Sequence, residues 1–162
     1  MKSKTLQDLY VDELKDLYNA ENQLIHALPK MVKAAQSPEL QDAFWSHLKQ
    51  TEEHAQRIEK IASAIGVSPK GKICVGMEGV ISEGKEVMEE EFEEGVMDTA
   101  LIAAAQRVEH YEMAGYGCAR AMAETLGYGD AVDLLQQTLN EEKEADEKLT
   151  QIAETLAKQF VR

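Results

Sequence analysis

The sequence has few residues that break helices. Of its 162 residues, three are Pro and ten are Gly. No Gly precedes Gly66, and no Pro follows Pro69. Basic charge is also short: 17 Lys and Arg stand against 30 Asp and Glu, a formal net charge of −13. That balance excludes a chain-wide grip on nucleic acid, which needs Lys and Arg to displace counterions. It equally disfavours docking to anionic lipid. No apolar run approaches the roughly 18 residues a membrane span needs. The start, Met1-Lys2-Ser3-Lys4-Thr5, leads into an amphipathic pattern with no signal-peptide core. Two cysteines, Cys74 and Cys118, have no metal-type spacing. A reduced, cytoplasmic protein is the simplest expectation.

What is present is helix composition. Ala and Glu dominate, and 44% of residues are hydrophobic, enough for a real core. The pattern predicts four long helices and one short one in a single domain over 1–162. The first runs from about Thr5 to Ala35, starting at a capping-box pair, Thr5 and Asp8, with a kink expected at Pro29. The second begins at Ser37-Pro38-Glu39 and ends at Gly66. Residues from about Val67 to Gly95 form a long crossover carrying a short helix near Met77–Glu90. The third long helix runs from near Asp98 to Leu126. After a tight turn with Asp130 as N-cap, the fourth runs from Ala131 to near Phe160. Two hairpins with short loops, joined by one long crossover, make an all-α, ferritin-like four-helix bundle.

Steps of seven stay nearly on one helix face. Along the first helix they give Leu14, Glu21, Leu28. The second gives Phe44, Thr51, Ile58 and, beside it, His47, His54, Ile61. The third gives Ile102, Glu109, Tyr116 and Ala105, Glu112, Ala119. The fourth gives Leu135, Glu142, Leu149 and Leu139, Asp146, Ala153. Each long helix thus interrupts an apolar face with an ionisable group. Glu21 and His54 are 33 residues apart, as are Glu109 and Glu142. Equal spacing across two antiparallel hairpins places all of them in one layer.

Burying a carboxylate without a partner is costly, with an idealised penalty of about 20 kcal/mol. Arg57 is the one base on these stripes, so divalent metal is the economical counter-charge. Carboxylates with imidazole suit iron or manganese rather than thiolate zinc. Taken singly, Glu21 or Glu142 reads equally well as a charge reaching for water from a stripe edge; the matched heights favour metal. His47 reads as a satisfied core histidine, Thr51 and Tyr116 as groups supporting the layer, Cys118 as a small hydrophobe, and Glu52 and Glu53 as solvated.

Several stretches carry a resemblance. They include Asp16-Leu17-Tyr18-Asn19-Ala20-Glu21-Asn22-Gln23-Leu24, Ala27-Leu28-Pro29-Lys30-Met31, and His47-Leu48 with Thr51 and Arg57-Ile58-Glu59. The run from Ala100 through Gln106-Arg107-Val108-Glu109-His110-Tyr111-Glu112 is the most specific, and Gly76-Met77-Glu78-Gly79 and Glu141-Glu142-Lys143 add to it. In these the chain resembles the YciF/YciE stress-response proteins, a bacterial branch of the ferritin-like superfamily. The resemblance implies a bundle that is usually dimeric and linked to stress. More distantly the chain is similar to rubrerythrins, ferritins and manganese catalases. Their dimetal pattern has a Glu on two helices and Glu-x-x-His on the other two. Here Thr51-Glu52-Glu53-His54 keeps the His and lacks the Glu; Glu142-Lys143-Glu144-Ala145 keeps the Glu and lacks the His.

The leading expectation is a dimetal centre of Fe or Mn held by Glu21, His54, Glu109, Glu112, Glu142 and Asp146. In it Glu21 and Glu112 bridge, Tyr116 supplies a hydroxyl, and hydrogen peroxide is disproportionated. The alternatives are a non-catalytic structural or interaction bundle with a residual or single-metal site, and an iron-storage protein. A homodimer is expected because the first helix carries two adjacent apolar rows, Tyr10-Leu17-Leu24-Met31 and Val11-Tyr18-Ile25-Val32.

Overall fold

Five helices account for the chain in a computed structural model that describes residues 3–160: α1 (Leu6–Ala34), α2 (Pro38–Ala64), α3 (Val75–Glu89), α4 (Val96–Leu126) and α5 (Gly129–Ala157). No strand occurs among the described residues. Met1, Lys2 and the last two positions of the expected 1–162 domain lie outside them.

Local chemistry sets the boundaries. Thr5 Oγ1 accepts from the Asp8 N–H at 3.1 Å, and the Asp8 carboxylate accepts from the Thr5 N–H at 2.8 Å, closing the capping box. Ser37 caps α2, with Pro38 opening it. At the other end Gly66 adopts φ +71°, so its own N–H reaches Ser63 O and the Val67 N–H reaches Ala62 O. That paired closure needs a residue free to enter the left-handed region. Gly127 closes α4 in the same way. Two expectations shift. Asp130 lies inside the first turn of α5, which starts at Gly129 with Tyr128 as its cap. Cys118 is exposed, since it falls on the solvent side of α4.

α1 packs on α2 and α4, and α5 packs on α4 and α2. Neighbouring helices are antiparallel, because one apolar cluster joins the start of α1, the end of α2, the end of α4 and the start of α5 through Leu14, Ile58, Tyr116 and Leu135. A second cluster, with Leu28, Phe44, Leu101 and Leu149, fills the opposite end. The polar layer separates the two. Asp98 ties the ends together: its carboxylate accepts from the Gln36 and Ser37 backbone N–H groups at 2.7 and 2.8 Å. Buried at the start of α4, it satisfies the turn between α1 and α2.

The crossover helix α3 lies on α1 and α4. The Cys74 N–H donates to Asn19 Oδ1 at 2.8 Å, and the Tyr111 hydroxyl donates to Asp16 Oδ2 at 3.0 Å. Gly76 permits this approach, because a Cβ there would fall 2.5 Å from the Tyr111 ring. Of the two apolar rows on α1, Tyr10, Leu17, Leu24 and Met31 are buried inside the chain, while Val11, Tyr18, Ile25 and Val32 are half-buried.

Candidate metal centre

Each long helix delivers its ionisable side chain from within an apolar stripe, and neighbouring Leu, Ile and Ala residues exclude water above and below. Glu21, His54, Glu112 and Glu142 are 0% exposed, Glu109 2% and His47 6%. Their potential ligand atoms fall into two groups, each within 4.8 Å across: Glu21, His54 and Glu142, and His47, Glu109, Glu112 and Glu142. These buried His and Glu side chains could hold a metal ion.

Glu142 is common to both groups, the bridging place expected for Glu21 and Glu112. Its Oε1 lies 2.9 Å from His54 Nδ1 and its Oε2 lies 3.6 Å from His47 Nε2. Glu21 Oε1 is 3.4 Å from His54 Nδ1, and Glu109 Oε1 is 3.1 Å from His47 Nε2.

His47, expected to be a satisfied core histidine, is instead part of the layer. Its Nε2 has no aligned hydrogen bond among the described residues. The signal was its place one step of seven before His54. Asp146 is brought into neither group. Its Oδ2 pairs with His110 Nε2 at 3.1 Å, and its charge helps raise the pKa of Glu109. Glu52 and Glu53 are exposed, as expected.

The sequence did not mark Glu141. Its Oε2 accepts from His54 Nε2 at 2.8 Å, and Arg57 grips both of its oxygens, at 2.6 and 3.0 Å. Arg57 also donates to Thr138 Oγ1 at 3.0 Å. A carboxylate can only accept from the imidazole, so Glu141 fixes the proton on Nε2 and leaves Nδ1 turned toward Glu21 and Glu142. Arg57 and His54 hold Glu141 below the usual carboxylate range despite the opposing effect of burial. Tyr116 donates to Glu21 Oε1, and Thr51 donates to His47 O at 2.9 Å.

Electrostatics identify what the layer lacks. Burial pushes Glu112 well above its ordinary range, and the Glu21 and Glu142 charges add to this. Burial also raises Glu21 and Glu142, and Glu109 rises to about 7. Burial opposes a charged His54, but the Glu142 and Glu21 carboxylates outweigh it and lift the imidazolium to about 11. Without another cation, the layer must hold protons to exist.

Its buried atoms are also unsatisfied. Both oxygens of Glu112 and of Glu142, Glu21 Oε2, Glu109 Oε2, His54 Nδ1 and His47 Nε2 have no hydrogen-bond partner among the described residues. Native interiors rarely leave such groups unpaired. Atoms that converge without hydrogen-bond alignment, and that compete for protons, fit the donor set of a divalent cation. The set also has the composition of ferritin-like dimetal sites, four Glu and two His. Here both histidines come from α2, seven residues apart, and α5 supplies no histidine.

Comparison with known proteins agrees with the fold. Residues 5–162 match the family described as "Domain of unknown function (DUF892)". Protein YciF of Escherichia coli K12 is 46% identical over 154 residues, covering 94% of this chain and 93% of that protein. The crystal structure of the E. coli stress protein YciF superposes with a TM-score of 0.93 at 43% identity, covering 96% of this chain and 99% of the other. YcfI of Rhodopseudomonas palustris gives a TM-score of 0.88 at 41% identity, over 91% and 94% of the two chains. A Xanthomonas campestris protein at 18% identity shares the fold, with a TM-score of 0.77 over 96% of each chain.

Proposed function

The chain belongs to the DUF892 family, and on that premise we propose that its polar layer is a dimetal carboxylate centre, of Fe or Mn, that handles peroxide in a cytoplasmic stress response. The observation that carries this reading is the double role of Glu142, whose two oxygens face the two histidines of α2. Glu21, His54 and Glu142 would hold one ion; His47, Glu109, Glu112 and Glu142 would hold the other. A redox-active metal held there would supply two-electron chemistry, allowing one peroxide to be reduced to water and a second oxidised to dioxygen with no outside donor.

The protein's own contribution is to orient and to hold protons. Glu141, fixed by Arg57, keeps His54 in the tautomer that presents Nδ1. Tyr116 steadies Glu21. In the metal-free layer burial raises Glu109 to about 7, so that it can hold a proton which metal binding would release. A purely structural layer would leave these buried atoms without partners among the described residues.

The test is peroxide consumption with oxygen release by Mn- or Fe-loaded protein. Loaded wild type should release oxygen, and metal-free protein should not. Loaded protein inert to both peroxide and oxygen would remove the catalytic reading.

A further inference from the structure

A cavity of about 430 Å³ opens between α2 and α5 and ends on the polar layer. Leu28, Phe44, Val108 and Leu149 form its walls, and His47 and Glu109 close its inner end. Both of these belong to the second group of ligand atoms. Glu21 and His54, of the first group, do not line it. The two groups are therefore unlike: His54 is backed by Glu141 and Arg57, whereas His47 and Glu109 face the cavity.

Protein interiors are normally packed as densely as organic crystals. Here the space persists because Ala43, Ala105 and Ala145 line it. Ala145 is the position at which the Glu-x-x-His pattern would place its histidine on α5. Its methyl group fills little of the room an imidazole would take.

Hydrogen peroxide does not use such a space, since it occupies about as much as two waters, roughly 60 Å³. The cavity lies in the size range of small-molecule sites and takes roughly a dozen heavy atoms. Its walls favour an alkyl body. Its inner end is polar, so the ligand's polar head belongs there, and that head is uncharged. An anion would meet the Glu109 carboxylate, after passing Glu39, Asp42 and Glu144 at the mouth. A cation would shed its hydration against the apolar walls and meet the charge of ions in the layer.

We propose that this cavity lets the centre accept alkyl hydroperoxides, with the hydroperoxide head at His47 and Glu109 and the alkyl chain along Leu28, Phe44 and Leu149. This rests on the reading of the layer as a peroxide-handling metal centre and names a second substrate for it. The O–O bond of the alkyl hydroperoxide breaks and takes up two electrons and two protons, giving an alkanol and water. Hydrogen peroxide supplies both and is oxidised to dioxygen. One alkyl hydroperoxide and one hydrogen peroxide thus become one alkanol, one water and one dioxygen. Ala145 sets the size of the chain admitted.

The first readout is binding without turnover. 1-Octanol, the product expected from octyl hydroperoxide, and octanoate are titrated calorimetrically into chelator-treated protein. Octanol should bind, octanoate should not bind measurably, and Ala145→Phe should abolish octanol binding. Ala43→Leu, which narrows the cavity from α2, should act in the same direction. Circular dichroism and metal analysis verify that each variant folds and loads. The second readout is turnover by Mn- or Fe-loaded protein given octyl hydroperoxide with hydrogen peroxide. Octanol should form, and Ala145→Phe should lower kcat/KM for octyl hydroperoxide relative to that for hydrogen peroxide by at least about tenfold. Folded wild type that binds no octanol, octanoate bound as tightly as octanol, an unchanged ratio in the folded, loaded variants, or hydrogen peroxide turnover without octanol would each overturn the proposal. Octanol binding by loaded protein inert to hydrogen peroxide would instead overturn the proposed function, and the hydroperoxide reaction with it.

Discussion

Glu142 divides its carboxylate between two histidines, with Oε1 2.9 Å from His54 Nδ1 and Oε2 3.6 Å from His47 Nε2. One side chain therefore belongs to both groups of potential ligand atoms. Glu142→Ala should remove nearly all bound metal. Glu21→Ala or Glu112→Ala should each lower occupancy sharply. Asp146→Ala should have a smaller effect, and Glu53→Ala none. Elemental analysis of the five variants checks the ranking, and equal occupancy in all of them would mean that the layer is wrongly assigned.

Glu141 touches His54 and is outside both groups of ligand atoms. Glu141→Gln should weaken metal affinity by about 10- to 100-fold without removing a ligand, the usual effect of losing the partner of a metal-bound histidine. Arg57→Met should act in the same direction, since Arg57 fixes that carboxylate. Competition with a metal chelator gives the affinities. Wild-type affinity in both variants would show that the contact does not orient His54.

Stability should depend on pH differently in the two metal states. In metal-free protein Glu109 is raised to about 7 and His54 to about 11, so the folded chain binds more protons than the unfolded one. Stability is then lost as pH rises, for Glu109 between its unfolded value of about 4.3 and 7, and for His54 from about 6.5 upward. The metal-free melting temperature should therefore fall between pH 5 and 8. With metal, binding displaces those protons and strengthens as pH rises, so the decline should flatten or reverse. Parallel melting curves for the two forms would contradict this.

Gly76→Ala should loosen the crossover and spare the centre. Its methyl group would collide with the Tyr111 ring, which holds Asp16 on α1. Overpacking of this kind costs about 1–3 kcal/mol. Thermal melting should show the loss, while metal content stays at the wild-type level.

Self-association should give a dimer. The half-buried row Val11, Tyr18, Ile25 and Val32 leaves apolar surface on α1. Light scattering at low micromolar concentration should give the mass of two chains. One chain would remove the dimer, and a dozen or more would revive storage.

The layer was legible because helical periodicity makes a charge on an apolar stripe conspicuous. Glu21, His54, Glu109, Glu112 and Glu142 all emerged in this way. His47 did not, because a histidine on an apolar row packs as readily as it ligates, and only the fold shows its Nε2 facing Glu109. Glu141 follows the row of Leu134 and Lys148, which reads as a solvated flank; its role depends on Arg57 reaching across from α2. Asp146 occupies a stripe position but leans to His110 at the rim, a choice of rotamer that no spacing encodes. Caps such as Thr5 and Gly66 are local chemistry and were readable. Asp98 closing the turn at Gln36 is a contact between distant segments and was not.

The most direct test of the account is the metal content of wild-type protein purified without chelator after growth with both iron and manganese. The layer of four glutamates and two histidines predicts close to two Fe or Mn ions per folded chain, falling toward zero in Glu142→Ala. Folded wild-type protein containing neither metal would contradict it.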